Sequence, residues 1–203
     1  MKSFIALVLF VCFVPALSQS QEVLLNDDFE GDLSAWETVG FGVIVPDPVD
    51  PGNHALSFTG TTNSGNMWSF PLPVNSNTTY VISFRYLGNA GGADTGGYLW
   101  LVDPMYGNVD SCPVWGTQPE NSTYELIDDG QWHTYQLEFH VTDFFDPASG
   151  ELLVTVEDWD GAAGSNPPPN IAGDAFFDDI QIYELGAVAT ESKAWGELKS
   201  LFR

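Results

Sequence analysis

The stretch Tyr80-Val81-Ile82-Ser83-Phe84-Arg85-Tyr86 decides the fold class of this chain. Aromatic or aliphatic residues stand at every second position, so one face of an extended segment is strongly apolar. Such alternation predicts a β-strand that packs one face against a hydrophobic core. We therefore expect a β-sheet around this strand.

The same alternation recurs on both sides of this stretch. It is clearest at residues 135–141, 152–157 and 176–183, and shorter runs at 22–25, 54–59, 67–72 and 97–102 bring the total to about eight predicted strands. Clusters of Gly, Pro, Asn and Asp separate the runs, and long helical periodicity is absent between them. This spacing is typical of a sandwich or barrel. We predict an all-β fold, a jelly-roll β-sandwich over residues 22–185.

Both ends of the chain differ from this central module. Residues 1–18 combine Lys2 with an apolar run and small residues before a possible cleavage site, which predicts a signal peptide and a secreted, extracellular protein. That run is too short for a transmembrane segment. Residues 186–203 form a linker and then place Trp195, Leu198 and Leu201 at helical spacing, which predicts a short C-terminal amphipathic helix. Its apolar side needs something to pack against, either the module itself or a protein partner.

Composition excludes several classes of function. The chain has 28 acidic and 5 basic residues, for a formal net charge of −23, so nucleic acid and anionic membranes are poor partners. Hydrophobic residues make up 44% of the chain, which is too many for a disordered acidic tail. Removing residues 1–18 leaves Cys112 as the single cysteine, so no intrachain disulfide is expected. Neutral ligands and cations remain as candidate binding partners.

Five short runs resemble, in order, the strands of family 4/9 carbohydrate-binding modules. Asn26-Asp27-Asp28-Phe29-Glu30, followed by Gly31 and Trp36, is similar to their opening strand. The later runs are Gly52-Asn53-His54-Ala55-Leu56, Tyr80-Val81-Ile82-Ser83-Phe84, Gln131-Trp132-His133-Thr134-Tyr135 and Phe176-Phe177-Asp178-Asp179-Ile180-Gln181-Ile182. The resemblance implies a galactose-binding-like β-sandwich that binds a polysaccharide or glycan without catalysing a reaction.

The resemblance also implies a structural Ca²⁺ where the first and last strands meet, with Glu30 and Asp178 as ligands. Asp28 would add a carboxylate, and the turn at Asn53 would add a carbonyl oxygen. Ca²⁺ takes six to eight oxygen ligands, so such a set is chemically sound. Asp178 also shares a predicted core-facing stripe with Ile180 and Ile182, where a carboxylate needs a partner.

A sugar-binding face is the second predicted site. Tyr98 and Trp100 fall on one side of the run 97–102, and flat aromatic rings stack on the C–H faces of pyranoses. The predicted ligand-binding residues, set on one concave sheet, are Trp68, Arg85, Tyr98, Trp100, Gln136 and Glu138. Arg85, the only Lys or Arg of the module, should either neutralise a buried acid or bind the ligand. Trp36 and Trp132 we assign to the core.

No catalytic motif stands out, so we predict a binding protein and not an enzyme. The sequence lacks His-Glu-x-x-His and Gly-x-Ser-x-Gly, and its three histidines fall on separate predicted strands. An alternative from another class is a structural or adhesive protein of the cell surface or matrix. There the sandwich would act as a spacer and the C-terminal tail would dock to a partner.

Overall fold

The computed structural model describes residues 22–37, 42–58, 65–88, 97–104, 113–117, 122–143, 150–158 and 175–185. The predicted signal peptide, linker and C-terminal helix lie outside these residues. Within them the single helical element is the 3₁₀ turn Val141–Asp143. No helix in the described part of the chain has the length and hydropathy needed to cross a membrane.

The described strands form two sheets. In the first, the order is β11-β7-β13-β4-β3, with β1 paired to β13; in the second it is β10-β9-β8-β12-β5-β2, with β6 paired to β12. The strands are β1 Val23–Asp27, β2 Trp36–Glu37, β3 Gly42–Pro46, β4 His54–Phe58, β5 Gly65–Ser69, β6 Leu72–Pro73, β7 Thr79–Gly88, β8 Gly97–Val102, β9 Val114–Gly116, β10 Tyr124–Glu125, β11 His133–His140, β12 Glu151–Asp158 and β13 Ala175–Glu184. Every assigned pair is antiparallel except β9 with β10. The predicted all-β fold with two packed layers is confirmed.

The core lies between the inner faces of the two sheets. The first sheet contributes the residues of β7 that the alternation marks as apolar, and the second contributes Leu99, Leu101, Val154 and Val156, all buried. Phe84 meets Trp115 of the opposite sheet edge-on, with ring centroids 5.4 Å apart. Full burial of each such side chain stabilises the fold by about 1.5–3 kcal/mol.

Gly97 allows the two sheets to approach closely at one end. A Cβ atom added there would overlap the ring of Tyr86, which reaches across from β7. The Tyr86 ring also packs on Phe177, with centroids 5.2 Å apart. Glycine at position 97 therefore makes room for an aromatic contact that joins β7 to β8.

A β-bulge corrects the predicted orientation of Asp178. The register of β13 against β7 shifts between Asp178 and Gln181, and Asp179 has a positive φ of 51°. Phe177 and Ile180 both point into the core, so the alternation changes phase at the bulge. The prediction that Asp178 shares a core-facing stripe with Ile180 is wrong, because Asp178 lies opposite Arg85 on the outer side of the sheet.

The position of Trp132 also differs from the prediction, which assigned it to the core. The residue immediately precedes β11 and is half-buried, and Arg85 lies over its ring at 4.5 Å from the centroid. It therefore belongs to the outer side of the first sheet and not to the core. Trp36 is buried in the core, as predicted.

Candidate functional site

The outer face of the second sheet carries a row of side chains that crosses five strands. Residues paired across antiparallel strands point to the same face, so the register fixes its members. In order across the sheet they are Glu37, Trp68, Thr155, Trp100 and Val114. We call this set the tryptophan row. Two indole side chains thus stand on either side of one small residue.

The geometry of the tryptophan row suits a flat ligand. Neighbouring strands lie about 4.8 Å apart, so Trp68 and Trp100 are separated by about 10 Å at their Cα atoms. Trp68 is 37% exposed, whereas Thr155 between the two is only 2% exposed. Trp68 is therefore the exposed ring of the row, while Thr155 between the two indole side chains is shielded from solvent.

Phe70 and Tyr98 extend this aromatic surface along the strands. Side chains two residues apart on a strand share a face, so Tyr98 stands beside Trp100, with ring centroids 6.3 Å apart at 75°. Phe70 follows Trp68 in the same way, and its N–H donates to the carbonyl of Ala35, which continues the pairing of β5 with β2. Phe70 is 50% exposed, while Tyr98 is buried. The open part of the surface is therefore centred on Trp68 and Phe70.

Carboxylates border the same face, and no basic side chain of the described residues lies on the second sheet. Glu37 is exposed and directly opposite Trp68, and Glu151 and Glu157 share the face of Thr155 on β12, where Glu151 is exposed and Glu157 is buried. The Lys, Arg and His residues between positions 22 and 185 are Arg85, His54, His133 and His140, and all four lie on strands of the first sheet. The face is therefore both aromatic and negatively charged.

The six predicted sugar-binding residues do not lie on one sheet. Trp68, Tyr98 and Trp100 are brought together on the second sheet, as expected. Arg85 belongs to β7, and Gln136 and Glu138 belong to β11, both in the first sheet. The prediction of one face with all six is wrong, because alternation tells which residues share a side of a strand but not which sheet the strand joins.

A hydrogen-bonded network of five side chains lies at the outer side of the first sheet, and we call it the Asp47–Asp178 network. Its members are Asp47, Asn53, Arg85, Trp132 and Asp178. Asn53 Nδ2 donates to Asp178 Oδ2 at 3.0 Å and to Asp47 Oδ2 at 3.4 Å. Arg85 Nη1 donates to Asp178 Oδ2 at 3.1 Å. Trp132 Nε1 donates to Asp47 Oδ1 at 3.1 Å, and its ring lies under the Arg85 guanidinium. Trp132 therefore connects Asp47 to Arg85, so that the five side chains form a closed ring of contacts.

The pKa values of the two carboxylates in this network are shifted in opposite directions. Asp178 is 1% exposed, and burial raises its pKa to about 7, with the adjacent Asp179 charge acting in the same direction against Asn53 and Arg85. Burial also acts to raise the pKa of Asp47. There, however, hydrogen bonds from the turn that follows it and from Trp132 and Asn53 outweigh burial and lower the pKa. The environment therefore disfavours the ionised form of Asp178 and favours the ionised form of Asp47.

Two of the predicted Ca²⁺ ligands, Glu30 and Asp178, contact adjacent residues of the β3–β4 hairpin. Glu30 Oε1 accepts a hydrogen bond from the His54 N–H at 3.0 Å, and Glu30 Oε2 lies 3.2 Å from His54 Nδ1. Asp178 contacts the adjacent hairpin residue Asn53, whose carbonyl accepts the Asp47 N–H at 2.9 Å. Asp28 Oδ1 accepts the Glu30 N–H at 3.3 Å. Across the described ranges, no group of three or more His, Cys, Asp or Glu side chains is arranged to hold a metal.

Two residues of the aromatic face were missed by sequence reasoning. Phe70 stands two residues after Trp68, and this spacing is the signal that indicates a shared face. Glu37 gives no such signal, because β2 has only two residues and its pairing with Trp68 depends on tertiary structure.

Comparisons with known proteins bear on the fold. Neither family models nor curated proteins match the sequence. Among solved structures, the tandem CBM22-1–CBM22-2 domain of Paenibacillus barcinonensis Xyn10C matches with a TM-score of 0.50 at 17% identity, covering 81% of this chain and 50% of that one. The xylan-binding CBM22-1 domain of the same protein has a TM-score of 0.49 at 17% identity, with coverage of 82% and 96%. The K3 cleaved adhesin domain of Porphyromonas gingivalis Lys-gingipain has a TM-score of 0.47 at 13% identity, with coverage of 79% and 99%.

At this level of identity the tandem domain supports the β-sandwich fold and nothing finer. The modules named above are of family 22, so the resemblance to family 4/9 in particular stays a prediction. Substrate, partners and activity have to be argued from the residues of this chain.

Proposed function

We propose that the protein is a non-catalytic carbohydrate-binding module that holds a polysaccharide against the tryptophan row. The observation that carries the proposal is the pair Trp68 and Trp100 flanking Thr155 on a sheet face, with Trp68 open to solvent. Indole rings bring large contact area at little cost in conformational entropy, because they have only two side-chain torsions. A row of such rings suits the flat faces of sugar rings.

The surroundings of the tryptophan row support binding over chemistry. The exposed part of the face is a sheet surface around Trp68 and Phe70, whereas enzymes need a pocket in which acid and base groups converge on the reacting atoms. Residues 1–18 have the pattern of a secretory signal, so we place the protein outside the cell. N-terminal sequencing of the protein recovered from its native host checks this, since secretion removes those residues.

The direct test of this proposal is a pull-down of the full chain with insoluble polysaccharides of different composition. Retention by at least one polysaccharide, lost on Trp68→Ala and kept on Gln136→Ala, is the expected result. Retention that depends on residues 186–203 and not on Trp68 would instead favour an adhesive protein that uses its tail.

We also propose that Ca²⁺ stabilises the edge where β1, the β3–β4 hairpin and β13 meet. Glu30 and Asp178 reach neighbouring hairpin residues, so a cation between them would find two carboxylates. These two side chains supply only part of the six to eight oxygen ligands that Ca²⁺ takes, and the others would come from backbone carbonyls and water. Asp178 supports the proposal, because a buried carboxylate with a pKa of about 7 gains more than an exposed one from a nearby cation.

Adding Ca²⁺ is then expected to raise the melting temperature. An ion that binds only the folded state adds about 2.7 kcal/mol at one hundred times its Kd, which corresponds to several degrees for a domain of this size. Calorimetry in chelator and in excess Ca²⁺ measures the shift. Glu30→Gln should abolish it, while Glu138→Gln on the exposed side of β11 should leave it intact. Equal melting temperatures of the native chain in both buffers would contradict the proposal.

A further inference from the structure

The negative charge beside the tryptophan row limits the chemical class of polysaccharide that this face can bind. Glu37 is exposed and paired directly with Trp68, and Glu151, also exposed, lies on the same face of β12. The sequence places no Lys, Arg or His within residues 55–84, 86–132 or 141–192. These stretches include every strand of the second sheet beyond β2 and the loops that join them. Among the residues that the structure describes, a ligand on this face therefore meets carboxylates and no cationic side chain.

We propose that the tryptophan row prefers polysaccharides that carry free, protonated amino groups, such as partly deacetylated chitin. This inference rests on the proposed function and names its ligand class. Two interactions available on this face favour an ammonium group over a hydroxyl. The face of an indole ring attracts a cation placed within about 6 Å of its centroid, and a carboxylate beside that ring pairs with the same charge.

The position of Glu37 makes the two interactions cooperate. Glu37 and Trp68 are direct cross-strand neighbours, so their Cβ atoms lie about 5 Å apart. An amino group on a sugar stacked over Trp68 comes within reach of the Glu37 carboxylate. Glu157, two residues further along β12 from Thr155, lies opposite Tyr98 and is only 8% exposed. Glu37 is therefore the carboxylate that a ligand stacked on Trp68 meets.

Long-range electrostatics acts in the same direction. The formal net charge of −23 attracts a polycation and repels polysaccharides that bear carboxylate or sulfate groups. Attraction of this general kind is not specific to one face, so the test must separate it from recognition by the row.

The experiment compares binding of chitosan oligosaccharides, their fully N-acetylated counterparts and polyuronate oligosaccharides by calorimetry. A buffer near pH 5.5 keeps Glu ionised and an amine protonated. We expect the chitosan oligosaccharides to bind at least tenfold more tightly than the acetylated ones and the polyuronate not to bind. Glu37→Gln should remove most of the preference, while Glu138→Gln, an equal change of charge on the opposite sheet, should keep it.

Each other outcome has a distinct meaning. Equal, Trp68-dependent binding of both neutral and amine-bearing chains overturns the amine preference and leaves the proposed function standing. Binding of polylysine as tight as that of chitosan, unaffected by Trp68→Ala, attributes the preference to net charge alone and overturns the inference. Failure of all three kinds of oligosaccharide to bind overturns the inference, and the pull-down with polysaccharides of other composition then decides whether the proposed function stands.

Discussion

Replacing Trp68 or Trp100 with Ala is expected to abolish polysaccharide binding while the protein stays folded. Truncating an aromatic anchor at the centre of a contact commonly costs 2 kcal/mol or more, which is about a thirtyfold loss of affinity. Trp68 carries the larger share of exposed ring, so its substitution should have little effect on stability. Isothermal calorimetry with a polysaccharide retained in the pull-down gives the affinities.

Matched variants on the first sheet test whether the ligand binds there and not at the tryptophan row. Gln136 and Glu138 are exposed on β11, where sequence reasoning expected sugar contacts. Their Ala variants should bind as the native chain does. If they lose binding and the Trp68 variant does not, the ligand lies on the first sheet and the proposed face is wrong.

Phe70→Ala adds a graded test of the same surface. Phe70 is half exposed at the end of the aromatic surface and outside the tryptophan row, so its loss should weaken binding severalfold without abolishing it. Short oligosaccharides that cover only the row should be insensitive to the change. The chain length at which sensitivity begins then reports the direction in which the ligand lies.

Strong periodicity made the core predictable from sequence. The alternation at 80–86 identified the inward side of β7, and the run 97–102 coincides with β8 as the structure has it. These segments pack one whole face on the core, so burial itself imposes the pattern that reveals them. Short strands such as β2 and β10 have two residues each and leave no periodic signal.

The site was only partly predictable, for two physical reasons. Membership of a sheet depends on long-range pairing, and so Arg85 and Trp100 were expected on one face although they lie on opposite sheets. A bulge changes the phase of alternation, and the one at Asp179 uses a positive φ that Asp tolerates better than most residues. Neither feature leaves a mark in a pattern of apolar and polar residues.

The second large effect is expected from Arg85→Met, and it should depend on pH. Arg85 is the cation that faces the buried Asp178 carboxylate at 3.1 Å. Breaking a buried pair by removing one partner costs about 3–5 kcal/mol, and the 30% exposure of the Arg85 side chain reduces that cost through solvent screening. We expect a loss of about 2–3 kcal/mol at pH 8 in Ca²⁺-free buffer.

The sign of the pH dependence follows from the direction of the Asp178 shift. Its pKa is about 7 in the folded chain and 3.8 for an ordinary Asp. The contribution of Asp178 to stability is therefore fully present below pH 4 and is lost as the pH rises through 7. Removing Arg85 raises the folded pKa further and deepens that loss. At pH 5 the carboxyl is protonated in the folded state, and the variant should lose only about 1 kcal/mol, chiefly its contact with Trp132.

Urea denaturation of four proteins at pH 5 and pH 8 distinguishes the charge pair from simple packing. The set is the native chain, Arg85→Met, Asp178→Asn and the double variant. With Asp178 neutralised, Arg85→Met should cost the same at both pH values, because no buried charge is left behind. A loss on Arg85→Met alone that is equal at pH 5 and pH 8 would mean that Arg85 stabilises the sheet through its stacking on Trp132 and not through Asp178. In that case the Asp178 carboxylate would need another cation at neutral pH, and the Ca²⁺ titration of the same four proteins would identify it.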